Sequence, residues 1–217
     1  MISEILPTGI ASAEDIGDDL PVALLPEEAD ALGPAAEGRR REFAAARACA
    51  HRALTQLGCP PSPVLRGSQR EPIWPAGVTG SITHCARYRA AAVGRTQDVL
   101  SLGIDAEVHD ELPAGILGKI ALPQERQWIR RLRDSGVCWD RFLFSAKEST
   151  YKAWFPLSRR WLGFLDACIE VEPTTMTFQV RLLNERLTVD GREIDRLQGR
   201  FRVSKEIILT FVGIPKE

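Results

Sequence analysis

Three carboxylates, a series of arginines and lysines, and a glycine segment bearing hydroxyls and a histidine are the groups in this 217-residue chain that could do chemistry. Asp105-Ala106-Glu107 closes the apolar run Leu100-Ser101-Leu102-Gly103-Ile104. On a strand, residues i and i+2 face the same way, so the two carboxylates project side by side. Two ionised carboxylates at that distance repel unless a cation lies between them. A hard ion such as Mg²⁺, which takes a few carboxylates together with water and phosphate oxygens, suits the pair. Read alone, a D-x-E of this kind is more often the solvated end of a strand. In Phe144-Ser145-Ala146-Lys147-Glu148-Ser149-Thr150-Tyr151-Lys152-Ala153, Glu148 and Lys152 stand one helical turn apart. Such a pair on an open surface contributes only about 0.2–0.5 kcal/mol; Phe144 and Tyr151 beside it point instead to a cleft. The third segment is Trp74-Pro75-Ala76-Gly77-Val78-Thr79-Gly80-Ser81-Ile82-Thr83-His84-Cys85. Its glycines permit close backbone approach, and Ser81, Thr83 and His84 can donate to an anion. Arg66, Arg70, Arg39, Arg40 and Arg47 form a phosphate-binding set if they converge, since a guanidinium fork matches phosphate oxygens.

Regular elements must position these groups. Glu37 to Leu57 is rich in Ala, Leu and Arg, with Phe43, Cys49/Ala50, Leu54 and Leu57 at helical spacing before Gly58 and Pro60-Pro61, which predicts a helix. Residues 59–80 have the Pro/Gly content of a long shaped loop. Val78–Thr83, Arg89–Gly94 and Leu100–Glu107 are of strand length. A helix is expected from Pro123 to about Arg133, and another from Asp140, as N-cap, to about Trp154, with Pro156 ending it. Ala167–Glu172, Thr177–Leu183, Leu197–Val203 and Ile207–Ile214 read as strands, so the fold class is α+β. No internal repeat is evident, and the acidic segment before Arg39 shows no pattern that decides its order.

The composition, 44% hydrophobic and 26% charged, is that of a globular chain. A formal net charge of −1 conceals an asymmetry: the segment before Arg39 holds nine acids and no Lys or Arg, leaving the rest at +8 (28 basic minus 20 acidic). A basic body suits a polyanionic ligand or an acidic protein partner. Five widely spaced cysteines suggest neither a zinc site nor a disulfide framework. Without an apolar targeting segment or a run of about 18 apolar residues, the expectation is a cytoplasmic protein that does not engage a membrane. No nucleic-acid motif is present.

Together these segments resemble the 4'-phosphopantetheinyl transferase superfamily, in its Sfp-type branch and near the enterobactin-synthetase transferase and its actinobacterial relatives. The family signature, G-[IV]-D-x-E followed further along by [WF]-[ST]-x-K-E-[SA]-x-x-K, is met by Gly103 to Glu107 and Phe144 to Lys152. The subgroup's R-x-E-F-x-x-x-R-x-C-A helix is met at Arg40 to Ala50, and its R-E-P-x-W-P-x-G-x-x-G-S-x-T-H-C block at Arg70 to Cys85. The resemblance implies two similar α/β halves, 1–100 and 101–217, related by a pseudo-twofold axis with coenzyme A between them. It implies a holo-[acyl-carrier-protein] synthase activity: transfer of 4'-phosphopantetheine to a serine of an apo acyl- or peptidyl-carrier protein, of the kind used in polyketide and nonribosomal peptide biosynthesis, with release of adenosine 3',5'-bisphosphate. The implied metal is Mg²⁺, with Mn²⁺ as the alternative, held by Asp105, Glu107 and Glu148. Glu148 is the implied base and Lys152 stabilises phosphoryl charge. Lys147, Arg39, Arg47, Arg66, Ser81 and His84 are the implied coenzyme contacts, Arg39 rather than Arg40 resting on the resemblance alone. A monomer is expected. The alternative from another class is a catalytically silent coenzyme A or nucleotide-binding protein.

Overall fold

The computed structural model describes residues 1–17, 23–189 and 191–216. Asp18 and Asp19, two of the nine N-terminal acids, lie outside them. Helices and strands are mixed, in two compact units: Met1–Leu100 with Pro215–Glu217, and Ser101–Ile214. The end of the chain groups with the first unit rather than with the half that precedes it, and Lys216 N–H donates to the Asp98 carbonyl at 3.2 Å.

The first unit contains β1 (Ala11–Ile16), α1 (Pro26–Leu32), α2 (Glu37–Gln56), β2 (Leu65–Arg66), β3 (Pro72–Ile73), β4 (Val78–Cys85) and β5 (Tyr88–Arg95). β5 lies between β1 and β4, antiparallel to both. Cys49, Ala50, Ala53 and Leu54 of α2 pack on Ala13 of β1 and on Ala91 and Val93 of β5. Most side chains on the two faces of this contact are small, so helix and sheet lie close. β1 carries Glu14, whose carboxylate accepts from the Met1 ammonium (2.5 Å), the Ile2 N–H (2.9 Å) and the Tyr88 hydroxyl (2.7 Å). Burial alone would raise this carboxyl, but the three donors hold it below the usual carboxylate range. Part of the acidic leader is thus an ordered edge strand.

The second unit contains β6 (Val99–Val108, which begins in the first), α3 (Ile116–Ile120), α4 (Pro123–Leu132), α5 (Trp139–Ser158), β7 (Ala167–Glu172), β8 (Thr177–Leu182), β9 (Leu187–Val189), β10 (Arg192–Ile194), β11 (Arg196–Val203) and β12 (Ile207–Pro215). Five strands form a sheet in the order β6-β12-β11-β8-β7, and β9 and β10 form a separate ribbon. The core is aromatic: Phe142 of α5 meets Phe178 edge-on at 5.6 Å and Phe201 at 4.5 Å, with Trp128 and Trp139 packed around them. α5 departs from expectation at both ends. Cys138 takes the N-cap position, and Asp140, in the first turn, accepts the Leu112 N–H at 2.8 Å. Pro156 lies inside the helix; it costs the bond its own N–H would make, yet Arg159 N–H bonds the Phe155 carbonyl at 2.9 Å and closes the last turn in the left-handed region.

A repeat absent from the sequence reading emerges from the two units taken separately. Leu-Pro-x-Glu occurs at Leu25–Glu28 and at Leu122–Glu125, opening α1 and α4. In each, the fourth-position glutamate is fully buried and accepts the leucine N–H. Each also binds a backbone N–H distant in sequence, Val64 or Ile169, at 2.8 Å, and a cation-capable group of the long helix, His51 or Lys147, again at 2.8 Å. All five cysteines are free, and among the described residues no helix is long and apolar enough to cross a membrane.

Candidate active site

β6 crosses α5 at Gly103. A Cβ there would strike the Ser149 carbonyl oxygen and lie 2.7 Å from Ala153 N, so only glycine lets the two backbones touch. Beyond the crossing, Asp105 and Glu107 run alongside one face of α5. Arg141, Glu148 and Lys152 share that face, because spacings of seven and four residues are close to whole helical turns. Lys152 Nζ donates to Asp105 Oδ1 at 2.7 Å and to the Ile104 carbonyl at 3.1 Å. Arg141 Nη1 donates to Glu107 Oε2 at 2.9 Å. In helix order Glu148 stands between these two ion pairs.

The acids act on one another. Burial first, then the Asp105 charge, raises the Glu107 carboxyl against the pull of Arg141. Burial also raises Glu148; Lys152 opposes this, and Asp105 and Glu107 add to it. Among the described residues no three such side chains form a ready-made metal cage, and Lys152 and Arg141 are paired with Asp105 and Glu107. The donor chemistry still fits a hard divalent ion. Three hard oxygen donors within electrostatic reach repel each other, and Mg²⁺ uses few protein carboxylates, completing its shell with water and phosphate. Alongside Glu148 is a cavity of about 70 Å³ walled by Tyr151, Trp161, Leu162 and Phe164, with the Tyr151 and Trp161 rings 4.9 Å apart.

Lys147, for which the resemblance implies a phosphate contact, is enclosed among protein acceptors. The residue is 3% exposed, and its ammonium donates to the Ile120 carbonyl (2.8 Å), Glu125 Oε2 (2.8 Å) and the Phe164 carbonyl (2.6 Å). Burial lowers its pKa and Glu125 restores part of it. One residue on an α-helix turns through about 100°, so Glu148 faces β6 while Lys147 faces the core. Sequence reasoning also passed over Arg141, although its position seven residues before Glu148 was a readable signal.

In the first unit, Arg47 of α2 is 6% exposed and stacks its guanidinium 4.2 Å from the Phe43 ring centre. Its Nε finds no hydrogen-bond partner among the described residues. Burial lowers its pKa to about 10, the Glu28 charge opposes that, and the like charges of Arg66 and Arg39 push further down. Arg39 and Arg66 are therefore each within electrostatic reach of Arg47. Trp74 Nε1 donates to the Gly80 carbonyl at 2.9 Å, and a Cβ on Gly80 would come within 2.8 Å of the Trp74 ring. This fixes the start of β4, where Ser81 is buried and His84 exposed on opposite strand faces. Ser81 and His84 thus do not form one side-chain cluster on this strand.

Comparison with known proteins agrees with both units. The 4'-phosphopantetheinyl transferase N-terminal domain matches residues 27–94, and the 4'-phosphopantetheinyl transferase superfamily domain matches 101–203. The chain is similar to 4'-phosphopantetheinyl transferase PptT of Mycobacterium tuberculosis, at 46% identity over 98% of this chain and 97% of the relative. It is similar to 4'-phosphopantetheinyl transferase Svp of Streptomyces mobaraensis, at 45% identity over 99% and 89%. More distantly, it is 30% identical to enterobactin synthase component D of Escherichia coli over 82% and 79%. Matched domains in both units and such identity along nearly the whole length place the chain in the 4'-phosphopantetheinyl transferase superfamily, as an enzyme of that transferase class.

Proposed function

We propose that the protein transfers 4'-phosphopantetheine from coenzyme A to a serine of an apo acyl- or peptidyl-carrier protein, acting as a cytoplasmic monomer. The observation that carries this reading is the placement of Glu148, a half-buried carboxyl on the face of α5 that also bears Arg141 and Lys152, the partners of Glu107 and Asp105. A base for a serine hydroxyl works best with a pKa moved toward the working pH. Glu148 takes the serine proton, directly or through one water, as the serine oxygen bonds to the phosphorus that bears the pantetheine arm. The bond from that phosphorus to the bridging pyrophosphate oxygen breaks, and adenosine 3',5'-bisphosphate leaves with the bond's electrons. Asp105, Glu107 and Glu148 would hold Mg²⁺ or Mn²⁺, which when bound neutralises pyrophosphate charge. Lys152, with two of its donors on Ile104 and Asp105, supplies a positive charge for the transferring phosphoryl group.

The 3'-phosphate of coenzyme A falls to Arg39, Arg47 and Arg66. Mutual repulsion and the unpartnered Nε of Arg47 are both relieved by an anion. His84 is assigned to the same phosphate from the exposed face of β4, and Ser81, on the other face, to a separate coenzyme contact. The apolar walls of the cavity alongside Glu148 suit the uncharged pantetheine arm. Lys147 is assigned to the Glu125 pair and to no phosphate.

A silent coenzyme-binding protein would need no raised carboxyl beside Lys152. Glu148→Gln separates the two readings. Coenzyme A binding by calorimetry should persist within a few-fold while carrier modification collapses by about 10²–10⁴. Unchanged turnover in the variant would remove Glu148 as the base.

A further inference from the structure

Arg141 makes more contacts than a surface ion pair needs. Nη1 donates to Glu107 Oε2 at 2.9 Å, Nε to the Asp110 carbonyl at 3.0 Å, and Nη2 to the Glu111 carbonyl at 2.8 Å. One planar guanidinium therefore ties the Glu107 side chain to the backbone of the segment that follows β6. Its neighbours on α5 fasten the same segment: Asp140 accepts the Leu112 N–H at 2.8 Å, and the Cys138 N–H donates to His109 Nε2 at 3.2 Å. His109 is anchored in turn by its Nδ1 on the Ser204 carbonyl at 2.6 Å. Arg141 and Glu107 side chains are 14% and 20% exposed, so this ion pair is only lightly screened by water, while the Asp110 and Glu111 carbonyls belong to exposed residues.

From this we propose that Arg141 is a positioning residue: it fixes the rotamer of Glu107 through one carboxylate oxygen and leaves the other oxygen directed for a divalent cation. The inference deepens the metal-dependent reading above and rests on it. An arginine beside a cation site has two opposed effects, repulsion of the ion and preorganisation of its ligand. The geometry favours preorganisation. Three donors in one plane cannot follow the carboxylate through its rotamers, two of them are held by backbone, and Nη1 engages only one of the two carboxylate oxygens. Groups that hydrogen-bond a metal-ligating side chain typically contribute about 10–100-fold to metal affinity.

The test uses the full chain with coenzyme A and no carrier protein, so that nothing turns over. Mn²⁺ binding is read from the electron paramagnetic resonance signal of the free ion. Arg141→Ala should weaken Mn²⁺ binding by roughly 10–100-fold, and Arg141→Lys, which keeps the charge but loses the fork, should fall between. Arg133→Ala, which removes an exposed cation elsewhere, should match the wild type. With the carrier protein added, the Mg²⁺ activation midpoint should rise by more than kcat at saturating Mg²⁺ falls. A thermal melt reports folding, and if Arg141→Ala does not fold, Arg141→Lys carries the test alone. Mn²⁺ affinity equal to or tighter than wild type in the Arg141 variants overturns the positioning role while leaving the metal reading standing. A wild-type protein that binds no Mn²⁺ with coenzyme A present overturns both.

Discussion

Substituting Gly103 by Ala adds one methyl group where α5 has no room for it. The new carbon would meet the Ser149 carbonyl oxygen, sit 2.7 Å from Ala153 N and 3.0 Å from Lys152 Cβ. Two of these three atoms are helix backbone and cannot swing aside, so β6 and α5 must separate. Overpacking of this kind costs about 1–3 kcal/mol, which lowers the Tm of a chain of this size by roughly 2–12 °C. Activity is the sharper readout. Asp105 lies two residues beyond the crossing and meets Lys152 at 2.7 Å, and β6 also carries Glu107. Misplacement of reacting groups by about 1 Å costs on the order of 100-fold in rate. Gly118 in α3 has open space where its Cβ would stand, so Gly118→Ala should be neutral or slightly stabilising and serves as control. Differential scanning calorimetry and carrier modification by intact-mass spectrometry measure both effects. A Gly103→Ala protein with wild-type Tm and rate would refute the claim that backbone contact builds the site.

Other outcomes follow from the same contacts. Breaking the buried Lys147–Glu125 pair with Lys147→Met should destabilise by about 3–5 kcal/mol, because Glu125 is left charged and enclosed; a merely weakened coenzyme A affinity with normal stability would argue for a phosphate contact instead. Arg47→Ala should raise KM for coenzyme A by roughly 10–100-fold, the value of a charge-assisted contact. It should barely affect dephospho-coenzyme A, which lacks the 3'-phosphate; equal losses for both would contradict the assignment. In metal-free protein, Glu107 and Glu148 have raised carboxyls, so the folded state binds more protons than the unfolded state between the usual carboxylate value and the raised one. Stability therefore falls as pH rises through that window, and Glu148→Gln should lessen the fall in denaturant titrations across pH. Glu14 has the opposite sign: its stabilisation is present above the usual carboxylate value and is lost as pH falls, and Glu14→Gln should remove that part of the acid sensitivity.

The readable parts of the chain were those with local periodicity. α2 and α4 follow from apolar spacing, most of α5 from the Asp140 and Pro156 that bracket it, and the strand ending in Asp105-Ala106-Glu107 from its length and composition. β1 was not readable, because the alternation in ASAEDI is brief and its apolar members are two alanines; it becomes a strand by pairing with the Ala-rich β5 and by the three donors gathered on Glu14. α5 runs on to Ser158 past Pro156, because in a final turn a proline removes only one bond. Lys147 and Glu148 are neighbours in sequence, and helix phase alone does not say which faces the core. The deciding partner, Glu125, sits on a different helix, and its role is legible only once Leu122-Pro123-Gln124-Glu125 is matched to Leu25-Pro26-Glu27-Glu28. The side-by-side carboxylates Asp105 and Glu107 were foreseeable from strand geometry and Glu148 joined them only through the resemblance, whereas the ion pairs that Lys152 and Arg141 make with Asp105 and Glu107 depend on how β6 meets α5.

The central claim is that this chain moves phosphopantetheine onto a carrier serine, and intact-mass spectrometry tests it most directly. An apo carrier protein is incubated with the protein, coenzyme A and Mg²⁺, beside an identical sample containing EDTA. The expected result is a carrier heavier by one phosphopantetheine, dependent on the metal and absent when the carrier serine is replaced by alanine. Carriers of acyl and peptidyl type that all remain unmodified while coenzyme A binds would contradict it and leave the silent binder as the better account.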